Sequence, residues 1–511
     1  VLAAATIALT VAIAARNLHC SAYDASNLRV SPDEIEYAVC ARRLATLGTY
    51  DMDFDGVSTP PHSTPWFSAV LAPTYVVASQ GVGNGIWVVF AFAVVGVIIA
   101  RSIGTTVAGP LAGALASIAL VSMPLYVRTA HSIMTDGPSV VLGLASVWLF
   151  MRWSKHEPRL SESVIAGLLV TVATAFRSVY LSLLLPFAWR AVRAENRRIA
   201  HLAALLAPLA ALAAADGFYN RAAFGDWERT GYQFWSAVPY DYPDLVLSPS
   251  YLPSNLASLA APGNLWPLAL GMAGIVLLVW RRPPYWSTLL GAFAATSLPI
   301  VAVHLVYFYH APRFFEYFLV LCAVLGGIGV ACAIPAGLRQ HRTALISSVA
   351  VLVIAFVCVQ PPSARNTRRR EAVDAVLSRT RDDAVIISGL EPVYLAAFDP
   401  PDSSRTYLAA SRDVEFASKV LVETRVSREL AAPRDAFDHA AAGLLEHGGR
   451  WAIAHTADEM HDQIDAWVRS GRPVCLETGF LKSPIATERM LGGSLRLQRF
   501  DPYLMQVLPA E

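Results

Sequence analysis

Charge is what this sequence has little of. Only 15% of its 511 residues are Asp, Glu, Lys or Arg, and 40 basic residues against 39 acidic ones leave a net charge of +1. With no basic arm and no RNA-type aromatic motif, nucleic acid is not an expected partner. Cysteine is scarce as well: there are six, and none stands in the Cys/His spacing of a zinc site. No internal repeat or low-complexity tract is present, which counts against the repeated halves common in transporters.

What the chain has instead is apolar length. It is 55% hydrophobic and its mean hydropathy is +0.45, values that point to a polytopic membrane protein. Windows long enough to cross a bilayer, with help from their flanks, recur at 1–16, 86–100, 107–125, 137–151, 162–176, 178–192, 200–215, 264–280, 286–306, 313–334 and 343–360. Because further spans follow it, the first run reads as a transmembrane helix rather than a cleaved signal peptide. The segment "FSAVLAPTYVVAS" (67–79) is shorter and broken by Pro73, so it reads as a helix lying at the interface.

Basic residues orient these eleven windows. Arg101, then Arg152, Lys155 and Arg159, then Arg190, Arg193, Arg197 and Arg198, then Arg281 and Arg282, then Arg339 and Arg342 fall in alternate connections. By the positive-inside rule those connections are cytoplasmic, as is the N-terminus. The polar loops 17–66 and 216–263 and the tail from 361 are then outside the plasma membrane, and high Ala and Arg usage suggests a bacterial envelope. In the tail, strand-like runs ("AVIISG", "VYLAAF", "WAIAHT", "PVCLE") alternate with helical stretches at 433–447 and 458–470. The expected architecture is a polytopic α-helical membrane domain over 1–360, with about eleven transmembrane helices, followed by an extracytoplasmic α/β domain over 364–511.

Chemistry is sought among the ionisable residues at the outer rim, because charges at a bundle's edge are costly unless paired or wetted. "SPDEIEY" (31–37) opens a helix: Ser31 is the N-cap, Pro32 suits the first position, and Glu34 completes a capping box. That leaves Asp33 without a capping duty. Asp136, in "RTAHSIMTDGPSVVLGL", stands where the chain re-enters the membrane, near Arg128 and His131; a cap by Thr135 or Asp136 before Pro138 is the competing explanation. Arg177 follows the fifth window, and His310, Arg313 and Glu316 open the tenth; each can also serve as an interface anchor. Cations of this set suit a lipid phosphate, and a carboxylate suits activation of a hydroxyl. "DMDFDG" (51–56) matches the opening of a calcium loop, but position twelve is His62 rather than Glu, so a solvated loop is expected and a divalent cation is the open alternative. Cys20 and Cys40 share one external loop, where a disulfide is an option; Cys322, Cys332 and Cys358 read as apolar core.

The order of these pieces resembles the GT-C superfamily of polytopic glycosyltransferases, in the branch of the protein O-mannosyltransferases and the aminoarabinose transferase acting on lipid A. The pieces are "PDEIEYAVCARRLATLGTY", "PPHSTPWFSAVLAPTYVV", "RTAHSIMTDGPSVVLGLASVWLFMRW", "FYNRAAFGDWERTGY" and "RFFEYFLVL", spread over roughly residues 1–360. The resemblance implies an inverting transfer of sugar from a polyprenyl-phosphate donor to a hydroxyl on a glycan, lipid or protein acceptor. It implies Asp33 as general base, Asp136 as an orienting acid, and His62 and Arg313 as ligands of the donor phosphate, with His131, Arg177 and His310 as further candidates. No cofactor or resident metal is implied with certainty. Other readings of the sequence are a transporter or lipid flippase, or a non-catalytic envelope assembly subunit that docks through its tail.

Overall fold

The structure is a computed structural model that describes residues 2–18, 32–54, 57–78, 81–235, 240–241, 243–334, 368–388, 395–399, 403–409, 457–477 and 493–510. Its main helices in chain order are α1 (Leu2–Asn17), α2 (Pro32–Leu47), α3 (Pro65–Val77), α4 (Ile86–Ala108), α5 (Pro110–Val121), α6 (Pro124–Thr129), α7 (Asp136–Trp153), α8 (Leu160–Phe176), α9 (Leu184–Val192), α10 (Arg198–Phe224), α11 (Leu252–Leu259), α12 (Pro262–Arg281), α13 (Trp286–Leu305), α14 (Glu316–Ala333), α15 (Arg368–Arg379) and α16 (Ala457–Arg469). The strands are β1 (Met52–Phe54), β2 (Val57–Thr59), β3 (Val385–Ser388), β4 (Thr406–Ala409), β5 (Val474–Glu477), β6 (Leu495–Arg499) and β7 (Leu504–Pro509).

Ten of the eleven apolar windows fall on helices, and 343–360 lies outside the described residues, as do Cys20, Ser31, "WAIAHT" and 433–447. Among the described residues, five helical segments are long and apolar enough to cross a membrane: Val82–Ala108, Arg198–Phe224, Pro262–Arg281, Trp286–Leu305 and Pro312–Ala333. Their ends are written in the sequence. Proline occupies the first turn of α3, α5, α6 and α12, where its missing N–H would be unpaired anyway. Gly109, at φ +86°, makes the break between α4 and α5, a conformation that favours glycine.

The chain divides into two compact units. The first, a helical bundle, takes Val1–Asp24, Gly85–Phe218 and Leu247–Ala364. Its core helix is α14, buried along almost its whole length. An apolar solvent gives helices no hydrophobic reason to associate, so contact rests on close packing through small residues. Gly274 of α12 shows this: a Cβ there would lie 2.5 Å from the Leu325 carbonyl oxygen, and a Cβ on Gly271 would lie 2.5 Å from that of Cys322. The Tyr317 ring fills the space left by Gly143 of α7, and its hydroxyl donates to Thr296 Oγ1 at 2.9 Å.

The second unit gathers Ala25–Asn84, Tyr219–Val246 and Arg365–Glu511. It thus joins parts of both polar loops to the tail. α2 packs on α3, with the Tyr37 and Phe67 rings edge to face at 5.1 Å. β1 and β2 form a hairpin. In the tail, a five-stranded sheet has the order β4-β3-β5-β7-β6, parallel across β4, β3 and β5 and antiparallel across β5, β7 and β6. β3 and β5 are buried on both faces, as parallel strands of an α/β layer are. "AVIISG" and "PVCLE" are therefore strands, whereas in the described part of "VYLAAF" Leu395 and Ala396 are helical and Ala397 and Phe398 form a turn. Arg42 Nη1 of α2 donates to the Ala397 carbonyl at 3.4 Å, and Arg405, 3% exposed, is held between Asp399 and Asp382.

Candidate functional site

In the bundle, antiparallel succession brings the start of α7, the end of α8 and the start of α14 to one end. Asp136 is 3% exposed, and its Oδ1 accepts from Arg177 Nη1, so two residues singled out in the sequence form one buried ion pair. The competing cap explanation is not what the geometry shows: the Thr135 side chain makes no capping hydrogen bond, and the Asp136 carboxylate is turned to Arg177. Arg177 reaches it because the residue is extended, at φ −152° and ψ 116°, where α8 stops. Its guanidinium lies 5.2 Å from the centre of the Phe314 ring, and that of Arg313 lies 5.6 Å from the same ring. Glu316, 1% exposed, accepts from Thr129 Oγ1 through Oε1, while its Oε2 is buried without a hydrogen-bond partner among the described residues. His131 Nδ1 lies 2.6 Å from the Val127 carbonyl, and the exposed His310 has Nδ1 3.1 Å from Asn255 Oδ1.

In the second unit two of the candidate residues, Asp33 and Glu34, sit on α2. Asp33 is exposed in the first turn, whereas Glu34 and Glu36 are buried. Asp33 and Glu36 are three residues apart and so share a face of the helix, with Cβ atoms roughly 5–6 Å apart. Glu36 holds the turn that carries His62: its Oε2 lies 2.6 Å from His62 Nδ1, and its Oε1 accepts from the Ser63 N–H at 2.9 Å and from Ser63 Oγ at 2.7 Å. Burial pushes the Glu36 carboxyl up, but the charge and hydrogen bond of His62 and the two Ser63 donors outweigh it and hold the group below the ordinary glutamate value. The Tyr50 hydroxyl fixes the same turn by donating to the Thr64 carbonyl at 2.9 Å, and burial keeps that phenol well above its usual range. The Gly231 backbone lies against the carbonyls of Pro61 and His62 with no room for a Cβ, and the Tyr232 ring is 6.2 Å from that of His62.

Asp51, the first residue of "DMDFDG", accepts from Arg43 Nε at 2.7 Å, from Thr49 Oγ1 at 2.8 Å and from Ser58 Oγ. Burial pushes its carboxyl up, but these donors hold it below the usual aspartate range. Cys40 is a buried thiol directed at the Asp51 carbonyl, and burial raises it well above the ordinary value. Among the described residues, no group of three His, Cys, Asp or Glu side chains is arranged to hold a metal ion.

No family model and no curated protein matches the sequence. Solved structures do match. ArnT from Cupriavidus metallidurans bound to undecaprenyl phosphate superposes with a TM-score of 0.63 at 13% identity, over 98% of this chain and 97% of that one. This chain has the GT-C fold. The apo state of the same ArnT matches with a TM-score of 0.58 at 13% identity, over 99% of this chain and 98% of that one.

Within the GT-C bundle the sequence pointed to Asp136, Arg177, Arg313 and Glu316 separately, and the fold gathers them. It passed over Glu36 and Tyr50, which fix the turn of His62. The available signal for Glu36 was its spacing from Asp33, one helical turn on.

Proposed function

We propose that this chain is a membrane glycosyltransferase that moves a sugar from a polyprenyl-phosphate donor to an acceptor hydroxyl on the extracytoplasmic face. The observation that carries this reading is the buried Asp136–Arg177 pair, with Arg313 beside it, at one end of an apolar bundle. The fold is shared almost end to end with a protein whose structure holds undecaprenyl phosphate. A polyprenyl carrier leaves the bilayer only at a cost of about 0.8 kcal/mol per CH₂, so its phosphate is best met at the headgroup level, where a bundle end lies. A transporter or flippase would instead place ionisable groups near the membrane midplane.

The chemistry is a displacement at the anomeric carbon. The acceptor oxygen forms a bond to C1, the C1–O bond to the lipid phosphate breaks, and the hydroxyl proton passes to a base. Asp33 takes that proton. Arg313 and His62 bind the donor phosphate and stabilise the charge that develops on it as it leaves, with His310 and His131 as further donors. Asp136 sets the direction of Arg177 rather than acting as a base, because its carboxylate is already committed. Eleven spans, an extracytoplasmic tail over 364–511 and inversion at C1 belong to the same proposal.

The test is transfer from radiolabelled polyprenyl-phosphate mannose, arabinose, glucose and galactose by the purified chain in nanodiscs with acceptor extract. Consumption of one donor, falling roughly 10²–10⁴-fold in a folded Asp33→Asn variant, is the expected result. Full turnover in that variant would remove Asp33 from its role. Failure of the native protein to consume any donor would overturn the transferase reading.

A further inference from the structure

At the other end of α7 from Asp136, the bundle holds a second polar site that the transfer reaction does not use. The 18 residues of α7 span about 27 Å, so this site lies at the opposite end of the bundle. It is a cavity of about 460 Å³ whose walls include Arg152, Lys155, Arg159, Trp148, Trp153 and Tyr285. Glu162 and His156 also line it.

The electrostatic balance is uneven. Glu162 is already engaged: its Oε2 accepts from Arg190 Nη1 at 2.7 Å and from the Arg159 backbone N–H at 3.2 Å, and its Oε1 lies 3.5 Å from His156 Nε2. Arg152, Lys155 and Arg159 are exposed around the opening. The Lys155 ammonium sits 4.4 Å from the centre of the Tyr285 ring, and Arg152 lies 5.8 Å from that of Trp148. Tyr285 is held at φ +64°, a strained position for a tyrosine, and its hydroxyl is buried without a hydrogen-bond partner among the described residues. Surplus cations and an unused hydroxyl suit a phosphate.

Its surroundings identify the source of that phosphate. At the same end of the bundle, Trp189 and Trp280 are 58% and 68% exposed, with Arg193 4.0 Å over one ring and Arg281 4.3 Å over the other. Exposed tryptophans beside arginines mark the headgroup level of a membrane. We propose that this cavity binds the phosphodiester headgroup of an anionic membrane lipid. The site is separate from the transferase reading and does not depend on it. A lipid bound there ties the ends of α7, α8 and α13 together at the interface opposite Asp136.

Native mass spectrometry of the detergent-purified chain, titrated with phosphatidylglycerol or phosphatidylcholine, tests this. Phosphatidylglycerol should bind in preference, and the Arg152→Gln/Lys155→Gln variant should bind it roughly thirtyfold more weakly, about fivefold for each cation removed. Arg193→Gln, off the cavity, should change binding less than threefold or so. In the unaltered chain, phosphatidylglycerol but not phosphatidylcholine should protect Lys155 from acetylation, a readout that does not need the variant to fold. Equal binding of the two lipids, equal loss in Arg193→Gln, or an unprotected Lys155 would overturn the proposal. Protection by inorganic phosphate alone at the same concentration would show a soluble-anion site and overturn the lipid assignment.

Discussion

Asp136 and Glu316 in the bundle are held by different means from Asp51 and Glu36 in the second unit. In the bundle, Asp136 is met by Arg177 and Glu316 by Thr129, partners 41 and 187 residues away. In the second unit, Asp51 collects Arg43, Thr49 and Ser58 from within eight residues, and Glu36 collects a ring nitrogen, a hydroxyl and a backbone N–H from one turn. The difference follows from the backbone. A helix bundle in lipid has spent most of its N–H groups internally, so Asp136 and Glu316 are answered by side chains brought across the fold. Turns have free N–H groups and short polar side chains close by. One partner lost should therefore cost more in the bundle.

The sharpest way to break that comparison is Arg177→Met, which leaves Asp136 buried and unpaired. A loss of about 3–5 kcal/mol is expected, with most of it restored by adding Asp136→Asn, both read as heat stability in micelles. Restoration of stability without restoration of sugar transfer would separate the pair's structural role from its chemical one. Arg405→Met should cost about 3 kcal/mol, because Asp399 is left 8% exposed without its guanidinium. That loss should appear as earlier proteolysis of the tail, with the helical signal of the bundle unchanged.

Gly274→Leu probes the other side of the contrast, packing without charge. Its Cβ has no room against the Leu325 carbonyl, and a loss of about 2 kcal/mol is expected, with Ala intermediate. The smallest effect should come from Glu36→Gln, about 1 kcal/mol at neutral pH. The Glu36 carboxyl is held below its ordinary value of 4.5, so its stabilisation is complete above that pH and is lost as pH falls through the lowered value. The gap between Glu36→Gln and the unaltered chain should therefore close in acid. A gap that persists once the carboxyl itself has been protonated would mean that Glu36 acts through packing.

Much of this was legible in the chain itself. Apolar windows became helices, and prolines and Gly109 fell at their ends, because hydropathy and helix termination are local. Asp136 and Arg177 were visible as charges beside apolar runs. Their pairing was not, since 41 residues and two helix directions separate them. Glu36 was hidden for a different reason: among Asp33, Glu34 and Glu36, composition cannot say which are turned inward.

The sequence by itself determined a membrane-type helical chain with polar loops, an α/β tail and a short roster of charged residues. Tertiary structure alone decided that parts of both loops and the tail form one unit, that Asp136 answers Arg177, and that Glu36 holds His62. The reason is one of range. Hydrogen bonds from residue i to i−4 and the cost of burying apolar surface are set by near neighbours along the chain. Which charge meets which is settled only when distant helix ends are brought within about 3 Å of each other.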